Sequence, residues 1–234
     1  DPALPLRGGA VELADLGVQL EGTRLFGRAI LDRLAIEGPR GPLELSGTAV
    51  ARGRVIRLED GSALVGGERV ALAGSYDLDA HTASLQSSTQ GAKLGPLIGA
   101  FAEGVPLEGM LVSNAGLELA GGLETLRGQG RFDVRPGQIR GFSLLRQVLG
   151  ELAALPALVA AAKGKDLSRF DEESFEELSA DFRVEGGKLS TENLLLRYAH
   201  GLAELRGSVG LLDRALDLRG RLELAREVDA ELGK

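Results

Sequence analysis

The chain has 234 residues, 44% hydrophobic and 26% charged, a folded-chain balance with length for one large all-β domain or two small ones. A net charge of −7 argues against nucleic acid and against electrostatic docking on an anionic membrane surface, both of which need clustered Lys and Arg. With no Cys there are no disulfides, thiolate chemistry or Cys-ligated zinc, and with aromatics at 4% and no Trp the apolar mass is Leu, Val and Ala.

Residues 1–90 read as a strand meander. A strand is expected over Gly9 to Leu20, where Val11 and Leu13 alternate with Glu12 and Ala14. A second, within 23–39, faces Leu34 and Ile36 one way, and Pro39 and Pro42 bracket a turn. Leu43 to Val50 and Gly53 to Leu58 follow. Asp60-Gly61 predicts the hairpin turn into a long row of Val70, Leu72, Gly74, Tyr76 and Leu78, with Arg69, Ala71, Ala73, Ser75 and Asp77 facing away. Asp79-Ala80-His81 turns the chain, and Ala83 and Leu85 come back.

The pattern breaks at Gly91. A short helix is expected within 91–102, over Lys93 to Phe101 with Pro96 near its start. Strand spacing resumes over 103–141, in Leu107–Val112, Ala115–Leu119, Leu123–Arg127 and the row Gly130, Phe132, Val134. Residues 142–165 predict an apolar helix: Ser143 can cap it, and Leu144, Leu145, Val148, Leu149 and Leu152 recur at helical spacing. Pro156 should kink it, and Ala157–Ala162 is apolar all round. An acidic linker over 166–177, densest from Asp171 to Glu177, leads to a meander over 178–225 and a tail over 226–234. The last strand alternates strictly: Leu216, Leu218, Leu222 and Leu224 on one side, Asp217, Arg219, Arg221 and Glu223 on the other.

Two ungapped self-matches suggest a sheet grown from one repeated unit. Phe132 to Ile139 aligns with Phe182 to Leu189, and Gly74 to Leu78 with Gly207 to Leu211, Leu85 then meeting Leu218. Gly74, Gly130, Gly207 and Gly220 all sit in apolar rows, where glycine marks a bend or a close approach, and glycine kinks repeated across neighbours curl a sheet. The expected fold is mainly β: one elongated domain, a strongly curved antiparallel sheet (a half-pipe, or β-taco) with a Leu/Val concave face and an inserted or capping helix. The interior then has two readings. The sheet fills itself as a sandwich or barrel, or it leaves an apolar groove suited to acyl chains, worth about 0.8 kcal/mol per buried methylene. The helix over 142–165 is correspondingly a core cap, or a plug, lid or membrane-touching element.

The span from Leu107 to Leu224 resembles the C-terminal region of AsmA-like proteins, relatives of TamB. The resemblance rests on the order of a glycine-rich strand unit (Leu123 to Phe132), a stretch from Gly137 to Leu145 entering an apolar helix, a linker, the run Phe175 to Leu194, and Gly207-Ser-Val-Gly-Leu. It covers about half the chain. It implies a periplasmic segment of an inner-membrane-anchored envelope protein of a Gram-negative bacterium, one of the bridge-like lipid carriers that pass phospholipid along a β-taco groove and support outer-membrane lipid homeostasis. It carries over no catalytic residues. The opening Asp-Pro-Ala-Leu-Pro, without Met or signal peptide, leads us to expect a piece of a longer protein.

The expected groove lining is Val70, Leu72, Tyr76 and Leu78 in the first meander, Phe132 and Val134 in the middle, and Leu194, Leu196, Leu205, Val209, Leu216, Leu218, Leu222 and Leu224 at the end. The expected partner is phospholipid or another acyl-chain lipid, with membranes and envelope proteins around it, and no cofactor, metal or nucleic acid. The second reading is a structural or protein-interaction sandwich that offers its edges to partners. A hydrolase needs His81 or His200 beside a Ser and a carboxylate, and no Gly-x-Ser-x-Gly elbow supports one. The carboxylates of 171–177 lack the alternate spacing and turn glycine of a calcium loop.

Overall fold

A computed structural model describes residues 6–19, 24–38, 40–101, 104–121, 123–140, 173–211 and 215–226. The helix expected over 142–165 and the first part of the acidic linker lie outside the described residues.

All the strands among the described residues belong to one antiparallel sheet. They are β1 (Leu6–Gln19), β2 (Arg24–Gly38), β3 (Gly41–Gly53), β4 (Val55–Val65), β5 (Glu68–Asp77), β6 (Thr82–Lys93), β7 (Leu107–Leu119), β8 (Arg127–Ile139), β9 (Ser174–Phe175), β10 (Glu177–Glu185), β11 (Lys188–Tyr198), β12 (Gly201–Gly210) and β13 (Leu216–Leu224). Twelve follow each other in chain order, from β1 at one edge to β13 at the other, and β9 pairs with β8 beside them. Among the described residues the sheet does not close: β1 and β13 are its two ends. A short helix, α1 (Leu94–Gly99), joins β6 to β7.

The turns follow glycine chemistry, at one place not the place expected. Asp60-Gly61 is no hairpin turn. It lies inside β4, where the pairing with β5 shifts between Leu58 and Gly61 and Asp60 has a φ of 51°. The bulge takes the Asp-Gly signal, because αL suits both turns and bulges. The turn itself is Gly66-Gly67, with φ of 58° and 84°. Gly186-Gly187, at 57° and 71°, closes β10 onto β11 the same way, and two positive φ values in a two-residue loop are the type I′ signature.

Other expectations shift similarly. Gly91 does not end the pattern; it bulges β6 with a φ of 77°. Leu123–Thr125 is a 3₁₀ turn between β7 and β8, not a strand. Pro136-Gly137, matched in sequence to the Gly186-Gly187 turn, is strand interior: Gly137 pairs with Gly109 on one side and Phe175 on the other. The acidic linker ends early. Ser174 and Phe175 are in the sheet, Phe175 is 2% exposed, and Glu177 opens β10.

α1 sits on one margin of the sheet. Leu94 and Leu97, three residues apart and so on one side of the helix, are both buried. Leu97 packs with Val65 and Ala92, against Leu43, Ala63 and Val70. Leu94 packs with Val134, Phe175, Leu196, Tyr198 and Ala203. The Gly66 turn abuts the helix: a Cβ on Gly66 would overlap the Pro96 carbonyl. Glu68 ties the margin further, its Oε2 accepting from the Lys93 N–H at 3.0 Å.

Candidate functional site

In an antiparallel sheet, directly paired residues point to the same side. One row of such pairs can be followed without a break through all twelve strands of the path. It reads Leu13, Ala29, Ala49, Leu58, Gly74, Leu85, Leu117, Gly128, Val184, Leu189, Val209, Leu216. Every position is Leu, Ala, Val or Gly. Eleven steps at 4.7–4.9 Å make it about 53 Å long. The neighbouring row on the opposite side, followed from β5, reads Ala73, Gln86, Gly116, Gln129, Arg183, Ser190, Ser208, Asp217. A one-residue step therefore changes aliphatic to polar on β6, β8 and β10 to β13, while Ala73 on β5 and Gly116 on β7 are the apolar members of the opposite row.

A second row, nearer α1, joins Ala92, Leu111, Val134, Leu178, Leu196, Ala203 and Leu222. Burial is heaviest in the second row, where Val134 is 0%, Ala203 2% and Leu196 6% exposed; the long row is mostly half-buried, from Val184 at 4% to Leu85 at 37%. Polar groups interrupt between the rows: the Thr89 and Ser113 hydroxyls lie 3.0 Å apart, cross-strand partners on β6 and β7.

The pairing brings the expected lining residues to this one side. Val70, Leu72 and Tyr76 lie on it along β5, paired with Ala63, Gly61 and Ile56. Leu78 lies just beyond the strand, where its N–H donates to the Arg54 carbonyl at 2.9 Å. Phe132 and Val134 pair with Ala180 and Leu178. Leu194 and Leu196 meet Leu205 and Ala203, and Val209 meets Leu216. On β13, Leu218, Leu222 and Leu224 pair with Gly207, Ala203 and Gly201. Two of these fourteen, Val134 and Leu196, are core residues under α1. Sequence reasoning missed Leu58, Leu117, Val184 and Leu189 in the long row. Their own alternation was the available signal, with Leu117 and Leu119, and Phe182 and Val184, two residues apart.

Tyr198 is 7% exposed at the α1 end of β11, edge-on to Phe175 with ring centroids 6.5 Å apart. Its hydroxyl is buried without a hydrogen-bond partner. Burial disfavours the phenolate and pushes the phenol up to about 12. On the other side, Glu177 gathers Arg135 and Arg197, with Ser179 donating to it at 3.0 Å. The bulge in β11 is held by Asn193: its Oδ1 accepts from the Asp181 N–H at 2.9 Å and its Nδ2 donates to the Asp181 carboxylate at 2.7 Å. Asp77 caps the β5–β6 turn, accepting from the Ala80 and Asp79 N–H groups, which hold its carboxyl below the usual range.

The two histidines stand at opposite margins. His81 is exposed in the β5–β6 turn, its Nδ1 3.4 Å from the Tyr76 hydroxyl, and His200 is half-buried in the β11–β12 turn. Among the described residues no group of His, Asp and Glu could hold a metal ion, and no helix is long and apolar enough to cross a membrane. Comparison with protein-family models, with curated proteins and with solved structures gives no match in any of the three.

Proposed function

We propose that the sheet curves as a half-pipe around the aliphatic rows and binds lipid acyl chains along them, without enzymatic chemistry. The observation that carries this reading is the unbroken Leu, Ala, Val and Gly row across twelve strands, set from β6 onward against a largely polar row one residue away. A track about 53 Å long is far longer than a small-molecule pocket needs, and longer than the hydrocarbon core of a bilayer, about 30 Å. The register shifts support curvature. Arg33 and Asp60 take φ of 46° and 51° at bulges in β2 and β4, with the β3–β4 pairing shifting at Gly47 between them. Bulges aligned on neighbouring strands bend a sheet along a line.

The reading accords with the AsmA-like resemblance: a periplasmic segment of an envelope protein that passes phospholipid between membranes. The filled-sandwich alternative draws less support, because the strands form a single sheet with few fully buried side chains; Val134 alone, among the described residues, is a large one below 2% exposure.

Native mass spectrometry of the purified chain, with lipid extraction of the same sample, tests the proposal. Co-purifying phospholipid is expected in the native chain and in Gln86→Glu, and its loss in Leu85→Glu. The two substitutions place the same charge on adjacent residues and opposite sides. A clean apo mass with no uptake of added phospholipid would reject the reading.

A further inference from the structure

We infer that β13 is a dimerisation strand: two copies of the chain join antiparallel along their β13 edges, about a two-fold axis through Arg221, into one continuous sheet. The two edges of the sheet are not equivalent. β1 pairs with β2 through three register shifts, and bulges of that kind turn an edge away from further strands. β13 pairs with β12 through nine consecutive residues, from Gly201 with Leu224 to Val209 with Leu216, with no shift. It contains no Pro, and it has no neighbour on its outer side among the described residues. So regular an edge is a template for another strand. Because the β1 edge is bulged, the matching template is a second β13, which gives a closed two-fold pair and not an open fibre.

The backbone restricts the register. Gly210 N–H donates to the Ala215 carbonyl at 2.8 Å, and Ala225 N–H to the His200 carbonyl at 3.0 Å. The odd-numbered residues of β13 therefore direct their N–H and C=O groups at β12, and Leu218, Gly220, Leu222 and Leu224 direct theirs outward. Outward groups must meet outward groups, so the axis passes through a residue and not between two.

Charge and the length of the overlap then select the residue. β13 reads Leu-Asp-Leu-Arg-Gly-Arg-Leu-Glu-Leu, nearly a palindrome about Gly220. On β12, Arg206 already stands opposite Arg219, and Glu204 opposite Arg221. An axis through Arg219 would align four arginines in one row. An axis through Gly220 would set Asp217 against Glu223 and Arg219 against Arg221. An axis through Arg221 brings Glu223 of the second copy opposite Arg219, where it offsets the Arg206 repulsion. The two Arg221 side chains then stand opposite each other, each with Glu204 at its other side to offset the repulsion, while an axis through Leu222, which would pair Arg221 with Glu223, leaves Leu218 outside the strand overlap. The same register sets Gly220 against Leu222 and Leu218 against Leu224, which continues the aliphatic side across the junction. The ion pairs within the strand, Arg219 with Asp217 and Arg221 with Glu223, join side chains more than half exposed, so both are free to re-pair.

Sedimentation velocity on the 234-residue chain over a wide concentration range tests this, with circular dichroism to check each fold. The native chain should show a monomer–dimer equilibrium. Arg219→Glu or Glu223→Arg alone turns both symmetric pairs into like charges, and should weaken association about tenfold. The double variant swaps the pairs and should return to within a few-fold of the native dimer. A monomer at every concentration, a dimer indifferent to both single changes, or single defects that the double variant does not repair would each overturn the inference.

Discussion

Gly130 and Phe182 face each other across β8 and β10, and a Cβ on Gly130 would stand 2.6 Å from the Phe182 Cζ. The same Cβ would lie 2.5 Å from the Asn114 carbonyl oxygen and 2.9 Å from the Ala115 Cα on β7. The ring can swing away; the β7 backbone cannot without disturbing its ladder. Gly130→Ala should therefore destabilise by about 1–3 kcal/mol, measured by denaturant unfolding, and truncating Phe182 should not repair it.

Tyr198 supplies a prediction of opposite sign. Its buried hydroxyl lacks a partner, at a cost of about 1–3 kcal/mol. Tyr198→Phe keeps the ring against Phe175 and removes that cost, so the variant should unfold at higher denaturant than the native chain. The alkaline limb gives a second readout. The folded phenol titrates at about 12 and the unfolded one near 10, so between those values the unfolded chain releases a proton that the folded chain keeps. The native chain should lose stability as pH rises from about 10 to about 12, by roughly 2 kcal/mol more than Tyr198→Phe. A parallel loss in both proteins would contradict the burial of this hydroxyl.

Asn193 replaces ladder hydrogen bonds where β11 bulges between β10 and β12. Asn193→Ala removes both bonds to Asp181 and should cost about 1–2 kcal/mol. Hydrogen exchange should then speed at the Asp181 amide while that of Val134, in the core under α1, changes only with global stability.

The strands and their joining into one antiparallel sheet were legible in the sequence because alternation is a local signal, and Leu216 to Leu224 displays it in nine residues. The turns were less so. Asp60-Gly61 and Gly66-Gly67 carry the same αL chemistry, and only pairing with β5 decides that the first is a bulge and the second a turn. Phe175 was lost among acidic neighbours, since two residues are too few for a period to show, and its burial comes from β8 and α1 rather than from its own strand. The long row was invisible for a deeper reason. Leu58, Gly74, Leu85 and Leu117 become adjacent only through the registers of four strands, shifted at bulges in β4 and β6, and no spacing in the chain records that sum.

The most direct test of the account places a photoreactive side chain at successive positions along β7, from Asn114 to Leu119, in chain exposed to phospholipid. The account predicts lipid adducts with a period of two: at Ala115, Leu117 and Leu119, whose pairs lie on the aliphatic side, and not at Asn114, Gly116 and Glu118. Adducts without alternation, or none at any position while the protein stays folded, would contradict a lipid track on this sheet.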